Sequence, residues 1–284
     1  MTTKKTVLLV TDFSYEAKGR EYFREDVELS CLLRKFFKVC ISHISDIGKV
    51  QHLVDAILIR NTGPQMFHCK ELTALRNETS LPLFNDLLGK GDINGKRHLL
   101  ELFQSGYPVI PTFSSKEDME KFGSFDRYLL KPLDGADSCG VKILNKEELQ
   151  RENCQNILIQ PLVEFQYEVS FYFIAEQFHY ALYAPSPHKR WELQSYAAST
   201  EDIAFAMKFI HWNTCKFGIQ RVDACRTKDG QLRLMELEDY NPFLSLNLLE
   251  PSVKEHFLEG LCLSLEKLID FKTHEKTGKN GKKV

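Results

Sequence analysis

Residues 221–246, RVDACRTKDGQLRLMELEDYNPFLSL, bring an arginine and several carboxylates into one hairpin-sized segment. Polar and apolar residues alternate from Arg221 to Arg226, and Lys228-Asp229-Gly230 supplies the Asp-Gly turn that favours a β-hairpin. On the return strand Leu232, Leu234, Glu236 and Glu238 are spaced two apart, which puts them on one face. Antiparallel pairing then lets Asp223 approach that row. Carboxylates gathered on a half-buried surface repel one another unless a cation lies between them. Mg²⁺, a hard ion that takes oxygen ligands, suits them. A solvated strand face with scattered acids fits the same residues. Arg221 shares the face of Asp223 two residues on, so its fixed charge is available to a developing oxyanion.

A second candidate is 128–142, YLLKPLDGADSCGVK, which reads as strand, loop, strand. The loop 134–140 contains Asp134, Gly135, Ser138 and Gly140. Such a loop leaves backbone N–H groups free to surround phosphate oxygens, and Lys131 on the incoming strand adds a point charge. A plain hairpin turn also fits. The sequence has neither GxxxxGK[ST] nor GxGxxG, which excludes a P-loop and a Rossmann fingerprint.

The elements that must position these residues alternate. The continuous apolar run at 6–10 predicts a buried parallel strand. A helix over 21–36, a strand over 38–42, a short helical segment at 46–54 and a strand over 55–60 follow, the last closing on the Asn61-Thr-Gly-Pro64 turn. This order predicts a doubly wound α/β unit. Such sheets bind ligands at the C-terminal ends of their strands, which places Asp12, Arg60, Asn61 and Thr62 on the binding edge. Arg60 as a simple strand-end cap is the alternative. Further strands are expected at 81–85, 156–163, 167–174 and 178–183, and helices at 92–105, 115–122, 199–216 and 251–271. The segment 107–112 is extended, because its prolines push the preceding residues out of the helical region. Pro185, Pro187 and His188-Lys189-Arg190 mark a mobile crossing, and the basic tail after 271 reads as disordered.

The 284 residues suffice for one large domain or two to three lobes. A net charge of -2 gives no field to recruit nucleic acid or an anionic membrane, and no apolar run is long enough for a membrane span. The eight cysteines lack CxxC or CxxH spacing and read as buried free thiols of a reducing cytoplasm, not a disulfide frame.

Taken in order, these segments resemble the ATP-grasp superfamily, and within it the glutathione synthetase-like carboxylate–amine ligases. NGKRHLLELF with YPVIPT, LLKPLDGADSCGV, ILIQPLVE, YEVSFYFI, and RVDACR with MELEDYNPFLSL are each similar to one of its motifs. DAILIRNTGP and LPLFND resemble the domain that precedes the grasp, so the likeness covers nearly the whole chain. It implies an α/β architecture with α+β lobes: an ATP-grasp fold behind an N-terminal doubly wound α/β domain. Residues 1–112 would form that first domain, 113–184 a small lobe with the phosphate loop, and 185–284 a large lobe with the metal site. The resemblance implies ATP phosphates held by Lys96, Lys131, Asp134, Gly135, Ser138 and Gly140. It implies adenine against the backbone around Gln160, Leu162 and Val163, and a ribose on Glu168. Two Mg²⁺, with Mn²⁺ able to substitute, would sit on Asp223, Glu236 and Glu238, and Arg221 would be the catalytic cation. Asp12, Arg60, Asn61 and Arg190 would face the substrates. The implied activity is ADP-forming ligation of a small-molecule carboxylate, activated as an acyl phosphate, to an amine. A ligase acting on a peptide or protein tail, or a nucleotide-binding module without catalysis, is the alternative. No nucleic-acid or membrane partner is implied, and a homodimer is left open. Two departures from the motifs matter. Ser138-Cys139 stands where many members have Gly-Arg or Gly-Lys. Glu236-x-Glu238 replaces Glu-x-Asn, leaving Asn241 as an alternative third metal ligand.

Overall fold

The first strand, β1 (Thr6–Val10), has Val7, Leu8, Leu9 and Val10 fully buried because strands pair on both its edges. The structure, a computed structural model, describes residues 4–17, 20–135, 139–186 and 189–280, with backbone alone at 17, 20, 65, 66 and 272–280. After β1 come a short ribbon of β2 (Glu16–Ala17) and β3 (Arg20–Glu21), then α1 (Phe23–Leu33), β4 (Lys38–Ser42), α2 (Ile47–Val50), β5 (Ala56–Ile59), α3 (Cys69–Glu78) and β6 (Leu83–Phe84). The parallel sheet has the order β4-β1-β5-β6, as a doubly wound unit requires. Helix α3 was not anticipated: only Leu72 and Leu75 of its ten residues are buried, too faint a stripe to read in the sequence.

The expected helix over 92–105 is broken. A 3₁₀ turn at Asp92–Asn94 ends on Gly95, whose φ is +71°, and α4 (Arg97–Gln104) starts after Lys96. A Cβ on Gly95 would lie 2.6 Å from the Leu133 carbonyl oxygen, which accepts from the Lys96 N–H at 2.8 Å. The break therefore lets Lys96 dock on the chain at Leu133.

Next come α5 (Lys116–Phe122), β7 (Arg127–Pro132), β8 (Lys142–Asn145), α6 (Lys146–Arg151) and β9 (Ile157–Pro161). The strands form a small antiparallel sheet of order β8-β7-β9, with Tyr128, Leu130 and Ile159 packed on Met119 of α5 and Leu149 of α6. Both helices are capped by a side chain, Ser115 for α5 and the Asn145/Glu148 capping box for α6.

The remaining elements are β10 (Phe165–Ile174), β11 (Gln177–Ala184), β12 (Gln194–Ser195), α7 (Thr200–Asn213), β13 (Ile219–Thr227), β14 (Leu232–Glu238) and α8 (Pro251–Asn280). Their sheet has the order β12-β11-β10-β13-β14. One face buries Phe171, Val222 and Leu234 against Phe205 and Phe209 of α7, and the other brings Tyr172 and Tyr180 onto Phe257 and Leu261 of α8. The boundary expected between 184 and 185 falls inside this sheet. Strand β10 pairs with β11 on one edge and β13 on the other, and β11 pairs with β12, so the division between sheets lies between β9 and β10.

Strand β14 corrects a second expectation. Asp223 pairs with Glu236 while Ala224 pairs with Leu234, so Met235 is an extra residue in a β-bulge. The bulge shifts the alternation by one. Leu232, Leu234 and Leu237 are buried in the core, and Glu236 and Glu238 lie on the opposite face.

Helix α8 runs on through Asn280 where a disordered tail was expected; 272–280 contains no proline to stop it. All eight cysteines are unpaired, as expected, but Cys31, Cys40, Cys69 and Cys139 are exposed. Cys40 is exposed because β4 is the edge strand. Among the described residues no helix is long and apolar enough to cross a membrane.

Candidate functional site

A cavity of about 390 Å³ lies where the three sheets meet, lined by residues from β7, β8, β10, β13, β14 and the loops of the parallel sheet. Arg221 and Asp223 reach it from β13, with Glu238 and Glu236 directly opposite them on β14. The Arg221 guanidinium donates Nε to Asp223 Oδ1 at 2.9 Å and Nη2 to Oδ2 at 2.8 Å. It also bonds Glu238 and donates Nη1 to the Phe243 carbonyl at 3.0 Å. Ser170 donates to Asp223 Oδ1 at 2.6 Å.

Lys96 forms an ion pair with Glu236. Its backbone is fixed by His98, which is buried and bridges the Gly95 carbonyl, at 3.0 Å from Nδ1, to the Leu237 N–H, at 3.3 Å from Nε2. Burial acts to raise the Glu236 carboxyl, but the ammonium groups of Lys96 and Lys131 outweigh it and hold the group down at about 2. Glu238 has the opposite fate: burial pushes it up to about 8 against the pull of Arg221, with Asp223 and Glu236 adding repulsion.

Lys131 is 9% exposed and lines the cavity. Among the described residues its ammonium has no hydrogen-bond or ion-pair partner. Burial lowers its affinity for the proton, with Glu236 opposing. Leu129, two residues back on β7, points into the same cavity. With Val141, Ile143, Val169 and Met235 it supplies apolar lining to the cavity. The sequence reading missed this lining, although the alternation through Lys131 could have found Leu129.

The chain leaving β7 turns back on itself. A Cβ on Gly140, at φ +72°, would lie 2.9 Å from Pro132 Cγ, so only glycine fits that return. Asp134 and Gly135 line the cavity and Gly140 does not. Ser138 lies outside the described residues, as do Pro187 and His188 of the 185–190 crossing. From that crossing Arg190 reaches the cavity and donates to Glu168 at 2.8 Å.

Three expectations fail geometrically. Arg60 does not face substrate. It is fully buried, with Nε on Asp26 at 3.1 Å, Nη2 on Glu25 at 3.3 Å and Nη1 on the Pro242 carbonyl at 3.1 Å. Two acids on α1 make it a structural counter-ion, and burial still pushes Glu25 up to about 7 against Arg60. Asp12 faces His43 and His68, not the cavity. Gln160, Leu162 and Val163 do not line the cavity either. The Gln160 side chain turns away to Thr112 at 2.8 Å, and Val163 lines a separate surface cleft. Asn61 does line the cavity, although its amide donates to Asp26 at 3.1 Å, and Thr62 bonds Tyr240.

A clasp between 91–93 and 239–240 was invisible in the sequence. Asp92 accepts N–H bonds from Asp239 at 2.7 Å and Tyr240 at 3.0 Å, while Asp239 accepts from Gly91 at 2.7 Å and Ile93 at 3.1 Å. Burial, then repulsion from Asp239, drives Asp92 well above the usual carboxyl range. The clasp holds the Lys96 segment against the end of β14, beside Glu236 and Glu238.

The sequence matches no known family profile and no curated protein. Solved structures do match the fold. The D-cycloserine synthetase DcsG superposes with a TM-score of 0.71 at 19% identity, over 93% of this chain and 99% of that one. The D-alanine–D-alanine ligase of Bacillus anthracis, solved with ATP, gives 0.71 at 14% identity over 95% and 99% of the two chains. The ATP-grasp ligase PsnB, solved with a variant of its minimal precursor, Mg and ADP, gives 0.63 at 13% identity over 94% and 100%. The shared architecture is the ATP-grasp fold.

Proposed function

We propose that this chain, built on the ATP-grasp fold, is an ADP-forming ligase that uses ATP and Mg²⁺ to join a small-molecule carboxylate to an amine. The observation that carries this reading is Lys131: a buried ammonium without a hydrogen-bond or ion-pair partner among the described residues, in a cavity also lined by Asp223, Glu236 and Glu238. A desolvated lone cation favours an anion such as a phosphate. The three carboxylates offer only oxygen donors, which fits Mg²⁺. When bound, Mg²⁺ would supply charge neutralisation for the phosphate oxygens.

The chain's own residues do the positioning. Lys131 and Lys96 hold the phosphates, and the apolar wall of Leu129, Ile143 and Met235 takes the base. Glu168 turns from Arg190 to the ribose. Glu238 is preferred to Asn241 as the third metal ligand because it lies two residues from Glu236 on β14, the two acids standing directly across from Arg221 and Asp223. The substrate carboxylate attacks the γ-phosphorus and ADP leaves. The amine then attacks the acyl carbon, loses a proton and expels phosphate. Arg221 stabilises the oxyanion of that second step. No protein nucleophile is needed, and catalysis is positioning plus charge.

The cavity volume lies within the ~300–1,000 Å³ of small-molecule sites, and the ligases that superpose with TM-scores of 0.71 are named for D-cycloserine and D-alanyl-D-alanine. The unpaired cysteines agree with a cytoplasmic setting. The test is an ADP-release screen of carboxylates against amines with Mg²⁺, followed by product mass. A single product mass supports the reading. A ladder of masses on a peptide would assign it to tail modification, and ATP binding without ADP release under any pair would reduce the chain to a nucleotide-binding module.

A further inference from the structure

A second cluster of ligating side chains sits at the C-terminal edge of the parallel sheet, and none of its members lines the cavity. Asp12 follows β1, His43 follows β4, and His68 lies in the segment after β5, so three adjacent strand ends converge. Asp12 Oδ1 lies 3.9 Å from His43 Nε2, and Oδ2 lies 3.7 Å from His68 Nε2. Both separations exceed hydrogen-bond length. One ligand atom from each residue falls within 4.8 Å of the others.

Oxygen and nitrogen ligands at about 2.0–2.2 Å from a tetrahedral ion sit roughly 3.3–3.6 Å apart, so closing the cluster on an ion needs shifts of only a few tenths of an ångström to about one. The polar atoms are already sorted for it. Asp12 Oδ1 accepts from Ser14 N at 2.8 Å and Ser14 Oγ at 2.7 Å, which orients the carboxylate and leaves Oδ2 for a ligand. His68 Nε2 is buried and has no partner among the described residues.

We propose that Asp12, His43 and His68 bind one divalent transition ion of zinc type. Two imidazole nitrogens and one carboxylate favour such a borderline ion over Mg²⁺. His43 Nδ1 accepts from Ser45 N at 3.2 Å, which puts the ring proton on Nε2. Binding moves that proton to Nδ1 and releases the Ser45 N–H, which makes His43 the weakest of the three ligands. The ion clamps the loops after β1 and β5, from which Tyr15, Asn61 and Gly63 reach the cavity.

The test is equilibrium dialysis of the chelator-stripped full chain against Zn²⁺ in excess Mg²⁺, with Co²⁺ absorption reporting the geometry. One Zn²⁺ per chain is expected. Asp12→Asn and His68→Ala should each weaken it by at least about 10²-fold, the upper end of the loss known for outer-shell partners alone. Asp223→Asn should keep the full equivalent. Circular dichroism checks the fold of each variant, and His43→Gln replaces any that unfolds. An unmodified chain that takes up no Zn²⁺, or an equivalent that survives the cluster variants and disappears in Asp223→Asn, overturns the proposal.

Discussion

Replacing Lys131 by methionine should move stability and nucleotide binding in opposite directions. The ammonium is nearly buried and has no partner among the described residues, so the protein without nucleotide carries a desolvated charge that methionine of similar length removes. Glu236 keeps its contact with Lys96, so no new lone carboxylate is created. The Met variant should therefore melt at or above the temperature of the parent. With ATP the sign reverses. A charge-assisted hydrogen bond is worth about 1.5–3 kcal/mol, and each 1.4 kcal/mol is tenfold, so ATP affinity should fall by about 10- to 150-fold. Linkage adds a second signature. Burial lowers Lys131 below its unfolded value, so between the two values the unfolded chain holds more protons and parental stability rises with pH. That rise should vanish in the variant. Calorimetric titration with ATP and Mg²⁺, and melting across the alkaline range, read both effects. Unchanged ATP affinity, or a clear loss of stability without nucleotide, would refute the idea that this ammonium waits for an anion.

Other expectations concern neighbouring groups. Arg221→Met should lower kcat by about 10²–10³, the range for one oxyanion donor, with ATP affinity changing far less; parallel losses in steady-state kinetics and binding would make it a ground-state clamp. Arg60→Met leaves Glu25 and Asp26 buried without their cation, so chemical denaturation should show about 3–5 kcal/mol of lost stability, whereas a surface arginine would cost almost nothing. Glu238, held up at about 8, carries a proton at neutral pH, so Mg²⁺ binding should weaken as pH falls below that value and should release protons. Calorimetry in buffers of different ionisation enthalpy counts them. For the same reason stability of the metal-free chain should fall as pH rises from the ordinary glutamate range towards 8, because the unfolded chain ionises first, and Glu238→Gln should flatten that limb.

Much of the cavity was legible because its residues obey local rules. Lys131, Glu168, Arg221 and Asp223 sit on strands whose alternation or order the sequence displays and line one cavity; Glu236 and Glu238 join them only through a bulge that the sequence pattern did not show. Arg60 and Asp12 were misassigned for a common reason. The strand-end rule says where ligands bind, but not which charges at that edge are already neutralised by distant residues. The acidic partners of Arg60 lie 34 and 35 positions away on α1, a distance no local pattern spans. Gln160 pairs with Leu129 and shares its face of the sheet, but its amide is taken up by Thr112, 48 positions away. The Asp92–Asp239 clasp joins residues nearly 150 apart, and its two acids carry no periodicity to betray it.

The bulge at Met235 gives β14 two phases. Upstream the odd-even alternation serves the core through Leu232 and Leu234. Downstream the same alternation, displaced by one, delivers Leu237 to the core and two acids to solvent-accessible chemistry. Closing the bulge with Met235 retained, so that Met235 instead of Glu236 faces Asp223, would leave the composition of the hairpin intact, yet it would turn Glu236 and Glu238 inward and Leu237 towards the cavity. The site is thus specified by a count as much as by identities. A homologue with every acid retained and one more residue between Leu234 and Glu236, but still a single bulge, would have the letters of this site without its geometry.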